Sequence, residues 1–282
     1  MKEMKMKLTV LVDNNTYIDN YFLAEPGLSF FIEDQDTRLL FDCGYSHIFF
    51  ENARKMGIDL LFLDYLVFSH CHMDHTWGVD TLIREYTNAI LQNHLHKKPE
   101  LVAHPKAFIS TVIDGVGEIG SIISEEKLKQ QFKLSLSSVP VHLTDRLVYL
   151  GEIPRKFSFE SHHPLGRKEG ETQDDFVIDD TALAYKSEDG LVIITGCSHA
   201  GICNILEYAR RVCRDDRIVD IIGGLHLLNP PKEQMQGTLD YLKGLGLKKL
   251  HACHCTDFDS KVCLTAVAPV KEVGVGLCLE YR

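Results

Sequence analysis

Between positions 69 and 78 the chain reads Ser69-His70-Cys71-His72-Met73-Asp74-His75-Thr76-Trp77-Gly78, with three imidazoles and a carboxylate inside six residues. Donors at this density form a divalent-cation ligand set, because ionisable groups crowded against an apolar strand are costly without a cation. In extended or turning chain His70 and His72 point the same way and can share one ion, while Asp74 and His75, further round, reach a second. An imidazole-rich set suits zinc, and the carboxylate also admits manganese or iron.

Such ligands need elements that end beside one another. Residues 63–68 are apolar and rich in aromatic and β-branched types, the pattern of a buried strand that stops at His70. Val79, Leu82, Ile83 and Tyr86 then fall at helical spacing, so the motif is the turn between a strand and a helix. Residues 181–185 and 191–195 form a hairpin across Ser187-Glu188-Asp189-Gly190, whose Asp-Gly pair is a turn signal. Its second strand ends at Gly196-Cys197-Ser198-His199, and a helix over 202–212 follows, which makes His199 a ligand candidate at a second strand-to-helix turn. Cys197 is either a thiolate ligand or a small buried hydrophobe. A strand over 218–222 runs into Gly223-Gly224-Leu225-His226, placing His226 at a third strand end. A last strand carries His254, with Cys253 and Cys255 alternating to the opposite face and packed there.

The remaining segments supply weaker candidates. Residues 7–13, 28–33 and 37–41 read as an opening antiparallel meander, and 48–56 as a helix ended by Gly57. A strand over 100–104 ends in His104-Pro105, where His104 borders the pocket or closes a surface strand. A helix is expected over 125–132. Arg155 is either an anion contact or the partner of a surface carboxylate. Residues 157–179, including His162-His163-Pro164-Leu165-Gly166-Arg167-Lys168, form a long polar loop, expected as a lid that carries Arg167 or Lys168 toward substrate anions. Residues 271–281 read as a closing strand.

The composition bounds the class. With 282 residues, 45% apolar and 25% charged, and without repeat or linker, the expectation is one domain over 1–282 with a large core. A net charge of −10 argues against nucleic-acid and anionic-membrane partners. No apolar run approaches a membrane span, and residues 8–12 are too short for a signal peptide. Nine scattered cysteines, an odd number, suggest free thiols and a cytoplasmic setting. The oligomeric state is not encoded in any of these features.

The order His70-x-His72-x-Asp74-His75 followed by Thr76-x-Gly78 resembles the signature of the metallo-β-lactamase superfamily. Val10-Leu11-Val12-Asp13-Asn14, Gly27-Leu28-Ser29, Leu40-Phe41-Asp42-Cys43-Gly44, Asn52-Ala53, Gly151-Glu152-Ile153-Pro154-Arg155 and His254-Cys255-Thr256 resemble one branch of it. That branch comprises the dihydropterin-(ribofuranosyl)aminobenzene-phosphate synthase-like metal-dependent hydrolases. The resemblance implies an α/β (α+β) fold, a four-layer αββα sandwich with metals at one edge between its sheets. It further implies two divalent ions, His70, His72 and His199 holding one and Asp74, His75 and His254 the other, with Asp74 also able to orient water or accept its proton. The activity implied is hydrolysis of a small phosphoester or ester-like substrate by a metal-activated hydroxide. Alternatives on the same residues are a lactone or thioester hydrolase, a metal- or redox-sensing binding protein, and a pterin-pathway synthase. The chain departs from the pattern at Trp77 and Asp257, where relatives carry glycine, and at Cys197, where they carry a bridging aspartate. Asp179-Asp180 stands where a third histidine is usual, so Asp180 as an oxygen ligand, or His163 folding in, is expected to replace it.

Overall fold

The structure, a computed structural model, describes residues 5–161 and 163–282, so residues 1–4 and His162 lie outside it. The opening meander is β1 (Met6–Val12), β2 (Ser29–Asp34) and β3 (Thr37–Phe41). Next come α1 (Ile48–Lys55), β4 (Tyr65–Val67), one helical turn α2 (Met73–Thr76), α3 (Val79–Leu91) and β5 (Glu100–Ala103). The middle of the chain holds β6 (Thr111–Ile113), β7 (Gly117–Glu118), α4 (Glu125–Gln131), β8 (Lys133–Leu136), β9 (Val141–His142), β10 (Leu147–Tyr149) and β11 (Arg167–Lys168). The last part is β12 (Ala182–Lys186), β13 (Leu191–Thr195), α5 (Ile202–Cys213), β14 (Ile218–Gly224), α6 (Lys232–Lys243), β15 (His251–Cys253), α7 (Phe258–Leu264) and β16 (Cys278–Tyr281).

Two sheets follow the same plan. One runs β16-β1-β2-β3-β4-β5-β8 and the other β15-β14-β13-β12-β10-β9. In each, strands joined by short connections pair antiparallel, and those joined across helices pair parallel. Period-two alternation assigns the faces. Leu39 and Phe41 point into the space between the sheets, meeting Tyr149, Leu183, Tyr185, Val192 and Ile194 there. Leu40, Leu66 and Phe68 point the other way, onto Phe49, Leu82 and Tyr86 of the first helical layer. On the second sheet Ala184, Ile193 and Ile221 face Ile202, Leu206 and Leu242 of the other helical layer. The result is the expected αββα sandwich, and a one-residue slip in any central strand would turn its whole inner set outward. Each such side chain contributes about 1.5–3 kcal/mol by leaving water.

Register then sets where the strands stop. Phe41 pairs with Val67 and Val67 with Val102, while Ile222 pairs with His251 and Gly224 with Cys253. The parallel strands of both sheets therefore release their next residues at one edge of the sandwich, the usual place for a site in parallel sheets.

Three features differ from the sequence expectation. Only Cys278–Tyr281 of the closing segment is strand, because Gly276 takes a left-handed φ of 95° that interrupts extension. Helix α7 follows Asp257 directly, and that carboxylate caps it by accepting from Ser260 N at 2.7 Å. The 157–179 loop is not a free lid. It adds β11 to a small sheet with β6 and β7, and its Glu160 carboxylate, buried, accepts from the Cys203 and Asn204 amides at the start of α5. Among the described residues no helix is long and apolar enough to cross a membrane.

Candidate metal centre

The strands β4, β13, β14 and β15 end in the residues that could bind an ion. Around them the backbone leaves extended geometry abruptly: Asp42 after β3, Ser198 after β13, His226 after β14 and His254 after β15 all adopt left-handed φ between 51° and 65°. For residues with a Cβ this costs about 1–3 kcal/mol each, a cost typical of functional sites.

Two groups of donors result. His70, His72 and His199 each bring a ring nitrogen within 4.8 Å of the others, and so do Asp74, His75, Cys197 and His254 with an oxygen, two nitrogens and a sulfur. Within the first, His70 Nε2 lies 3.1 Å from His72 Nδ1. Within the second, His75 Nε2 lies 3.2 Å from both Cys197 Sγ and His254 Nε2, and His254 Nε2 lies 3.2 Å from Asp74 Oδ2. Donors about 2.0–2.1 Å from a tetrahedral ion stand about 3.3 Å apart, so these separations are close to those that four-coordinate zinc requires. The buried Nε2 atom of His199 has no hydrogen-bond partner among the described residues. Leaving such an atom unpaired costs about 1–3 kcal/mol, which an ion would remove. The residues present fit divalent metal.

A shell of acceptors orients these rings. Asp42 Oδ2 faces His75 Nδ1 at 2.7 Å and accepts from Ser69 Oγ at 2.7 Å, and Ser69 Oγ stands 2.9 Å from His70 Nδ1. Asn14 Oδ1 lies 3.0 Å from His254 Nδ1, and Asp13 Oδ1 accepts from His254 N at 2.9 Å. A carboxylate or amide behind a ligating imidazole fixes which nitrogen is free to face the ion. Sequence reasoning assigned no role to Asp13, Asn14, Asp42 or Ser69. Their signals were membership of the stretches that resemble the branch, for Asp13, Asn14 and Asp42, and position, since Asp13 and Asp42 directly follow strands.

The electrostatics differ between the groups. Burial, reinforced by neighbouring imidazoles, pushes His70 and His199 well below the ordinary histidine range, and burial lowers His72 to about 4. The first group is therefore neutral and ready to ligate at pH 7. In the second, burial opposes charge on both partners, but Asp74 and Asp42 outweigh it and raise His75 to about 9. His75 and His254 in turn hold the Asp74 carboxyl well below its usual range.

The sequence pattern of the metallo-beta-lactamase superfamily matches residues 23–254. The chain belongs to the metallo-beta-lactamase superfamily. It is 29% identical over 271 residues to the 7,8-dihydropterin-6-methyl-4-(beta-D-ribofuranosyl)-aminobenzene-5'-phosphate synthase of Methanocaldococcus jannaschii, covering 91% of this chain and 89% of the relative. An uncharacterised protein of the same organism is 30% identical, with 89% and 91% covered. Among solved structures, Tm1679, a metal-dependent hydrolase of the beta-lactamase superfamily, superposes with a TM-score of 0.79 at 26% identity, covering 97% and 98% of the two chains. Superfamily members typically bind divalent metals and are mostly metal-dependent hydrolases.

Against that superfamily background, the structure brings some candidates together and disperses others. Cys197, in the place of the usual bridging aspartate, joins the Asp74 group alone. His199 stands with His70 and His72 in one group, and neither Asp180 nor His163 belongs to either group. Asp180, raised to about 7 by burial, lies outside both groups and accepts from Ala200 N at 2.8 Å, which steadies the His199 turn. His163 is exposed. His226 packs against His199 with ring centroids 4.3 Å apart, beside the groups rather than within them. His104 is engaged at both nitrogens, Nδ1 accepting from Lys106 N and Nε2 lying 3.3 Å from Glu152. Cys255 is not packed away from the site, because the left-handed His254 breaks strand alternation. Its thiol reaches Cys197 O at 3.4 Å and accepts from His226 N at 3.3 Å.

The cations expected to meet a substrate anion point elsewhere. Arg155 donates to Ser161 Oγ and to the Phe176 and Val177 carbonyls, pinning the loop. Arg167 pairs with Asp174 at the surface, at 3.4 Å. Lys168 is buried, with its ammonium 3.1 Å from both Asp175 and Asp179. Strand alternation in β11 sends these two neighbours to opposite faces.

Proposed function

We propose that the protein is a metal-dependent hydrolase that holds two divalent ions, zinc first among them, and cleaves an ester-like bond in a small molecule. The observation that carries this reading is the convergence of two buried donor groups, His70, His72 and His199 beside Asp74, His75, Cys197 and His254. Two ions there would supply Lewis acidity to a carbonyl or phosphoryl oxygen and lower the pKa of a water. The protein's own share is orientation and proton handling. Ser69, Asp42 and Asn14 fix the imidazoles, and burial keeps bulk water from them. Asp74 is 27% exposed while His75 and His254 beside it are nearly closed, so its ionised carboxylate is the group placed to orient water or take a proton.

The positions of Arg155, Arg167 and Lys168 favour a substrate that needs no side-chain cation for a phosphate. A second reading, condensation in a pterin pathway, is supported by the named relative that is 29% identical across 91% of the chain. A cytoplasmic setting suits the nine cysteines, all free thiols.

The test is metal content by plasma emission, with turnover of a generic phosphodiester and an aryl ester, for the protein and for His72→Ala. Two ions per chain and ester turnover lost in the variant support the reading. One ion, or turnover indifferent to His72, sinks the dinuclear hydrolase, and loss of ions without any hydrolysis in the parent leaves the synthase reading ahead.

A further inference from the structure

We infer that Lys168 is a positioning residue for the three-histidine group, acting through Asp179 on the backbone between His70 and His72. The inference rests on the reading of those histidines as metal ligands.

Lys168 is a cation in a place where a cation is costly. Its side chain is fully buried, as is Asp179, and Asp175 is 4% exposed. Nζ lies 3.1 Å from each carboxylate, 3.3 Å from Thr111 Oγ1 and 3.5 Å from Cys71 Sγ. Cys71, Asp175 and Asp179 by themselves would look like a third metal site. The ammonium already stands among them, so the chain supplies its own cation and no further ion is required. A buried charge of this kind persists only when its partners are kept in place.

The partners lead to the site. While Asp179 Oδ1 meets the ammonium, its Oδ2 accepts from Cys71 N at 2.8 Å. Cys71 lies between His70 and His72, so the peptide that links the two rings is held by this carboxylate. The cluster carries one positive and two negative charges, a net of −1. Without Lys168 two buried carboxylates would face one another at net −2. One of them would take up a proton or move away, and the grip on Cys71 N would weaken with it. Lys168 lies on β11, paired with Thr111 of β6, so the 157–179 loop reaches the ligand turn through this ion pair.

The experiment is a cobalt titration followed by visible absorption, with competition against a chromophoric chelator. It compares the parent, Lys168→Met, and Lys168→Met/Asp179→Asn, and checks folding by circular dichroism. The amide introduced at position 179 keeps an oxygen to accept from Cys71 N, and the double variant returns the cluster to a net charge of −1. Lys168→Met should weaken the three-histidine ion about 10–100-fold, as partners behind metal ligands commonly do. It should leave the thiolate-to-cobalt absorption of the Cys197 group in place. The double variant should recover most of the loss, which mere filling of space by Lys168 would not allow. If Lys168→Met folds only together with Asp179→Asn, and the pair then binds both ions, the conclusion stands. A folded Lys168→Met with parental affinity overturns it, and so does a folded double variant that recovers nothing. Failure of the ligand reading is seen separately, in a parent whose titration is unchanged by His199→Ala, and this inference then falls with it.

Discussion

Gly78 offers a test in which local propensity and tertiary packing predict opposite signs. It precedes α3 with an ordinary φ of −60° that alanine also adopts, so on backbone freedom alone, lost from the unfolded chain, alanine would stabilise by about 0.4–1 kcal/mol. The packing says otherwise. A Cβ at position 78 would lie 2.1 Å from the Cys43 carbonyl oxygen and 2.8 Å from that of Ser46. Restoring an ordinary contact needs the two segments to part by about 1 Å, and overpacking of this kind costs about 1–3 kcal/mol. The contact is also the seam that carries the second donor group. Gly78 N donates to Gly44 O, Cys43 N to His75 O and Leu28 N to Asp74 O, at 3.1, 2.8 and 3.2 Å. Parting the seam moves Asp74 and His75 away from Cys197 and His254 by several times the roughly 0.2 Å that metal coordination tolerates. Gly78→Ala should therefore lower Tm by about 2–5 °C and weaken the ion of that group more than that of the three histidines. Thermal unfolding with and without chelator, together with metal content, measures both. A variant with an unchanged or higher Tm and a full complement of metal would refute the reasoning.

Two further substitutions separate neighbouring roles. Cys197→Ser should abolish thiolate-to-cobalt absorption and weaken one ion while sparing the other. Persistence of the band would assign the thiolate to Cys255, whose sulfur lies 3.4 Å from Cys197 O. Arg155→Met leaves the Phe176 and Val177 carbonyls without their guanidinium donor, a local loss of about 1–3 kcal/mol. Limited proteolysis should then cut the 157–179 loop faster with metal content unchanged, and an unaltered cleavage rate would show that Glu160 and Lys168 hold the loop without Arg155.

Much of the architecture was legible in the chain because it is written in short-range patterns. The alternation of Leu39, Leu40 and Phe41, the apolar run before His70 and the Asp189-Gly190 turn each report a local preference that burial reinforces. The division of the first motif into His70 with His72 and Asp74 with His75 was legible for the same reason, since it depends on chain direction over six residues. Helix α7, seven residues long, is too short for a helical period to stand out, although its Asp257 cap is local.

What tertiary structure alone decided is the fate of polar side chains beyond the strand ends. Nothing within reach of Lys168 along the chain indicates burial. Its partners are Cys71 and Thr111, 97 and 57 positions away, and Asp175 and Asp179 on the return of its own loop. His199 becomes the third imidazole beside His70 and His72 only because two sheets stack with their parallel ends level, and Cys255 turns back to Cys197 only because His254 adopts a left-handed φ of 52°. An apolar side chain needs only to leave water, and periodicity reports that need. A buried polar group needs one particular partner at hydrogen-bond distance, and where that partner is distant in sequence only the assembled fold can supply it.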